Sequence, residues 1–294
     1  AMASGSSGGL QMQTGSSVES AGGVKISVGA NMQQGGDISF SAGNSNTDIG
    51  GDISMIAGAS DTSIGGSVTL QSGNGQVGSG NVDVSTGKST GSSGKVSLST
   101  GFSLGSESGA ILLATGETAT QESGHILLTA GNGDTDNGGS IILRSAESKT
   151  STGGAIKLIS GKSEVGVGGD IEMTTSSISG AGQTGSASFA TGQAVAGSSG
   201  SISIKTENAG QQSGSINIVA GDSDSQIAGS ISMRAGSSST VDGGNVLVSS
   251  GSSTVGQSGK IQLKTQNGES SGQILISTGL SQTGKSGNIK LVTN

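Results

Sequence analysis

The stretch Gly94-Lys95-Val96-Ser97-Leu98-Ser99-Thr100-Gly101 decides how this chain is read. Val96 and Leu98 stand two apart, polar residues alternate with them, and glycine bounds the run at both ends. Apolar residues at a period of two in a short run mark an extended segment with one face covered. The frame returns along the whole chain. Its opening glycines are Gly8, Gly22, Gly36, Gly51, Gly66, Gly80, Gly94, Gly109, Gly124, Gly139, Gly154, Gly169, Gly185, Gly200, Gly214, Gly229, Gly244, Gly259, Gly272 and Gly287, which makes 20 copies at spacings of 13 to 16 residues. Two residues after the opening glycine, 18 copies carry Ile or Val, with Leu10 and Ala187 as the exceptions. Four after it every copy carries a large apolar residue, from Met12 and Ile26 to Leu291. Six after it the residue is small or β-branched, as in Thr86, Thr100, Ala130, Ser160 and Ala235.

The second half of each copy is weaker in pattern. Nine residues after the opening glycine stand mostly Ser, Gly or Ala (Ser45, Ser60, Gly75, Ser89, Ser103), and eleven after it Thr or Val recurs (Thr47, Thr62, Val77, Thr120, Val165, Thr240, Val255). This spacing predicts a second strand that presents small side chains towards the first. Glycine takes φ > 0 freely, as a sharp corner requires. A second glycine follows the opening one by seven positions in 15 copies, but Ala146, Ser176, Glu207 and Gln266 replace it elsewhere, so the opening corner, never substituted, is the stricter one. The pattern therefore predicts an all-β fold: a single continuous parallel β-solenoid of about 20 rungs of ~15 residues, with two main sheets and Gly corners. Ordering one such copy costs about 15–30 kcal/mol of backbone entropy. Burying its two large side chains returns roughly 3–6 kcal/mol, so stacking of copies has to supply the rest. Absence of proline leaves every main-chain N–H free to pair.

Residues 1–4, opening Ala1-Met2-Ala3, read as a cloning scar, and 5–294 as one array cut from a longer one, since no polar capping segment bounds it. The copy at Gly185 pairs a small Ala187 with a large Phe189, which reads as volume compensation.

Composition narrows the function. Of 294 residues 58 are Gly, none is Cys, Trp or Tyr, three are Phe, and the net charge is −7. Without cysteine there are no disulfides or thiolate ligands, and His125 is the only histidine. An acidic chain with so few aromatics is not expected to bind nucleic acid, and no apolar run is long enough for membrane insertion. The many serines lack a histidine base and a third orienting group, so no enzyme and no cofactor are expected. Asp134 and Asp136, and likewise Asp222 and Asp224, alternate near glycine as in part of a calcium loop. The Gly-Gly-x-Gly-x-Asp nonapeptide of calcium-binding β-rolls is not repeated, so solvated carboxylates are the favoured reading. Leu112, Leu127 and Ile142 occupy the same outward position of neighbouring copies and form a candidate lateral contact.

The recurring Ser-Gly-x-Ile-x-Leu-x-Thr-Gly-x-Ser frame resembles Gly/Ser-rich repeat regions of secreted proteins of diatoms and other marine microalgae, which implies an extracellular or cell-surface setting. The plan is also similar to short-rung β-solenoid antifreeze proteins, although the outward positions (Gln11, Gln13, Lys25, Leu112, Ile142, Arg144, Glu172) show no flat Thr plane. Bacterial adhesin shafts are similar in plan only. The expected function is a non-catalytic structural module, a stiff rod or spacer. The alternative is a surface-binding module for ice, mineral or glycan, or an adhesin shaft, with self-association end to end or laterally.

Overall fold

The computed structural model describes residues 7–134, 137–224 and 226–293. None of these residues lies in a helix or a strand, so the β-solenoid expected from the sequence is not formed. No hydrophobic side chain among them is buried: Ile38 is 46% exposed and Phe40 70%. The chain exposes 30406 Å², against about 11,000 Å² for a compact globule of this mass. The physical reason is energetic. Alternation names the face of a segment that could be covered without supplying the cover. Two large side chains per copy return less than ordering costs, and no ladder between copies makes up the difference.

The chain divides into two units, Ala1–Arg144 and Ser145–Asn294. Within each, a copy consists of an extended segment followed by a loop with a bend ten to twelve residues after the opening glycine, as at 46–48, 61–63 and 164–166. Thr47, Thr62, Val165 and Thr240 sit in these bends and not in a second strand. The serine nine residues after the opening glycine explains why. Its Oγ accepts a hydrogen bond from a main-chain N–H two or three residues on, giving the backbone a local partner in place of a ladder. The bond joins Ser45 to Asp48 N at 2.9 Å, Ser60 to Ser63 N at 3.0 Å, Ser163 to Gly166 N at 2.8 Å and Ser253 to Gly256 N at 2.8 Å. Every serine at that position does the same, including Ser17, Ser89, Ser103, Ser148, Ser223, Ser238 and Ser281.

Some loops close on themselves. The opening glycine N–H donates to the carbonyl of the residue seven positions into the preceding copy. In the first unit Gly51 donates to Gly43, Gly66 to Gly58, Gly80 to Gly73 and Gly139 to Gly131, at 2.8–3.1 Å. In the second unit Gly154 donates to Ala146, Gly169 to Gly161, Gly229 to Gly221, Gly244 to Gly236 and Gly259 to Gly251, at 2.9–3.0 Å. Compact loops with adjoining ends are a known class of surface structure. The corners also differ from expectation, because among the described residues no glycine has positive φ. Close approach is what demands glycine here. A Cβ on Gly139 would lie 3.0 Å from Ala130 Cβ and 3.3 Å from Gly131 N.

One residue decides whether the neck closes. Where it closes, the residue six after the opening glycine is Ala or Ser: Ala42, Ala57, Ser72, Ala130, Ser145, Ser160, Ala220, Ala235 and Ser250. Where it stays open, that residue is Thr or Val: Thr14, Val28, Thr86, Thr100, Thr115, Thr175, Thr191, Thr206, Thr265 and Thr278. Copy length does not decide it, since Gly66 to Gly80 spans 14 residues and closes while Gly94 to Gly109 spans 15 and does not. A β-branched residue carries two heavy atoms on Cβ and cannot rotate both aside. The Thr86 Cγ2 methyl would stand 3.4 Å from a Cβ on Gly94, filling the space the glycine must enter. The copies opening at Gly36, Gly51 and Gly66 close, those at Gly80, Gly94 and Gly109 stay open, and this alternation by threes continues to Gly259. The chain thus has a larger unit of six copies, 88 residues from Gly36 to Gly124 and 90 from Gly124 to Gly214.

Candidate functional site

The residues with reduced exposure cluster at the necks: Ala42, Ala57, Ser72, Ala130, Ser145, Ala220 and Ala235 are half-buried, as are Thr14 and Thr265. The bend serines Ser103 and Ser163 complete the set. In open copies hydroxyls take over part of the neck's hydrogen bonding. Thr206 Oγ1 donates to Gly214 O at 3.3 Å, and Thr265 Oγ1 lies 3.0 Å from Ser271 Oγ.

Two hollows stand out among the described residues. One, of about 520 Å³, is an open hollow lined by Thr100, Gly101, Phe102, Ser103, Ser106 and Ser108. Its hydroxyls are partly engaged, with Ser103 Oγ accepting from Ser106 N at 3.3 Å. The other, of about 430 Å³, lies between consecutive copies and is walled by Phe40 on one side and Ile53, Ser54 and Met55 on the other. It is the more apolar of the two, a character typical of binding hollows, and sequence patterning gave no sign that these side chains would stand apart with space between them.

The calcium candidates Asp134, Asp222 and Asp224 are exposed. Asp136 lies outside the described residues. Among the described residues no group of three or more His, Asp or Glu comes together as a metal site would require. Leu112, Leu127 and Ile142 are 85%, 81% and 75% exposed, and neither hollow is lined by them. His125 Nε2 lies 3.7 Å from Glu122 Oε1, with both side chains exposed. Lys205 Nζ and Glu207 Oε1 are 2.5 Å apart on one extended run. No helix among the described residues is long and apolar enough to cross a membrane.

Comparison with protein-family models, with curated proteins and with solved structures finds no match for this chain.

Proposed function

We propose that this chain is a non-catalytic structural repeat module, a spacer in an extracellular or cell-surface protein. The observation that carries this reading is the recurrence of one small unit, an extended segment followed by a serine-capped bend, along both parts of the chain. Function spread evenly over copies is what a mechanical or distance-setting element needs, whereas a catalytic site concentrates unlike groups at one place. Exposed hydroxyls and a net charge of −7 keep such a surface hydrated.

The test compares one array with two joined in tandem between a surface anchor and a fluorescent reporter. A spacer should extend the mean reach by about 1.5-fold or more, the scaling of an open chain. A collapsing chain would extend it only about 1.3-fold, by the compact-domain scaling, and that result would overturn the reading. The second reading, a module that binds ice, mineral or glycan, rests on the hydroxyl-bearing bends and would displace the first if the chain shaped ice crystals.

A further inference from the structure

We propose that the first closed triplet of copies, residues 36–79, is a docking surface for the C-terminal stretch, residues 259–293, of a second copy of this chain. The hollow of about 430 Å³ walled by Phe40, Ile53 and Met55 separates two consecutive extended segments. No backbone-to-backbone hydrogen bond joins those two segments beyond the neck at Gly51. An occupant that satisfies this place must bring both apolar side chains and free main-chain groups. A small apolar ligand supplies only the first. An extended segment of this same chain supplies both.

Charge selects which segment. Residues 36–79 carry Asp37, Asp48, Asp52 and Asp61 and no Lys or Arg. Asp37 and Asp52 immediately precede Ile38 and Ile53, on the face opposite the apolar side chains of the same extended segments. Residues 259–293 carry Lys260, Lys264, Lys285 and Lys290 against Glu269 alone. There Lys260 and Lys264 flank Ile261 and Leu263, the same apolar spacing bordered by the opposite charge. Two acidic triplets would repel each other, while acidic on basic attracts and fixes register.

The exposed apolar area supplies most of a specific contact and leaves main-chain pairing to complete it. Ile38, Phe40, Ile53, Met55, Val68 and Leu70 are all exposed. At about 60–120 Å² each they offer roughly 360–720 Å² of apolar surface, before any main-chain contact, against about 800 Å² per partner in a standard interface. The necks at Gly51, Gly66 and Gly80 hold this triplet in shape before binding, which lowers the ordering cost. Because the two surfaces differ, the contact is head to tail, and each added copy leaves one of each surface free, so assembly continues beyond the dimer.

Charge reversal in the full chain tests this by complementation. Asp37→Lys with Asp52→Lys disables the acidic surface, and Lys260→Glu with Lys264→Glu disables the basic one. In sedimentation, wild-type chain should form concentration-dependent oligomers that weaken in high salt. Each double variant alone should associate at least roughly tenfold more weakly, and an equimolar mixture should regain oligomers, since every surface, native or reversed, then meets the opposite charge on the other variant. Phe40→Ser with Ile53→Ser and Met55→Ser, which leaves every charge in place, should weaken assembly as well. A wild-type chain that stays monomeric at all concentrations would overturn the proposal. So would double variants that assemble like wild type, or a mixture that remains unpaired. The spacer reading is measured by reach and stands or falls separately.

Discussion

Replacing Gly139 or Gly229 by alanine is expected to open the neck at that copy and leave its neighbours closed. The new Cβ would lie 3.0 Å from Ala130 Cβ in one case and 3.0 Å from Ala220 Cβ in the other, with the main chain of Gly131 or Gly221 also within 3.4 Å. Relieving such overpacking costs about 1–3 kcal/mol. A neck hydrogen bond contributes about 0.5–1.5 kcal/mol, so the bond gives way first. Amide exchange at position 139 should then rise to the rate of an open-copy glycine such as Gly109. The control is Gly131→Ala. Nothing lies within 4 Å of a Cβ there, and Ala146 already occupies the equivalent place in the next copy while its neck stays closed. Equal effects from Gly131→Ala and Gly139→Ala would show that backbone conformation and not close approach governs the glycines.

Exchanging the selector residue should move a copy from one class to the other. Ala57→Thr places a β-branched side chain against Gly66 and should free its amide, which now donates to Gly58 O at 2.8 Å. Thr86→Ala removes the methyl that faces Gly94 and should let that glycine reach Gly87 O, across a 14-residue copy of the length that already closes at Gly80. Each change should alter exchange at the glycine concerned by roughly 2- to 12-fold, in opposite directions, the equivalent of one hydrogen bond. An Ala57→Thr variant that keeps Gly66 protected would remove the selector role.

The repeat, its period and the exposed placement of residues such as Lys25 and Glu172 are legible in the sequence. What the repeat does is not. Ile38 and Phe40 alternate as a strand's buried face would, yet alternation carries no information about whether anything lies opposite, and both remain exposed. Ser45 reads as a small residue facing a core, because size and hydrogen-bonding capacity cannot be separated in a one-letter pattern. Its capping role requires knowing that Asp48 N lies within reach. Positive φ is the commoner reason for an invariable glycine at a corner, whereas the short distance from Gly139 to Ala130 exists only in three dimensions. The alternation of Ala/Ser with Thr/Val in threes is visible in the letters once the neck bonds show which position to compare. Among the site residues, Leu112, Leu127 and Ile142 are legible as exposed apolar side chains, but nothing in the spacing indicates the hollow at Phe40, Ile53 and Met55.

Residue-resolved amide exchange of the wild-type chain, in solution dilute enough to prevent association, shows whether the necks close in alternating triplets. Exchange should be slow at Gly51, Gly66 and Gly80, fast at Gly94, Gly109 and Gly124, and slow again at Gly139, Gly154 and Gly169, with the alternation carried on through Gly259. Uniform rates at all these glycines, whether fast or slow, would contradict it.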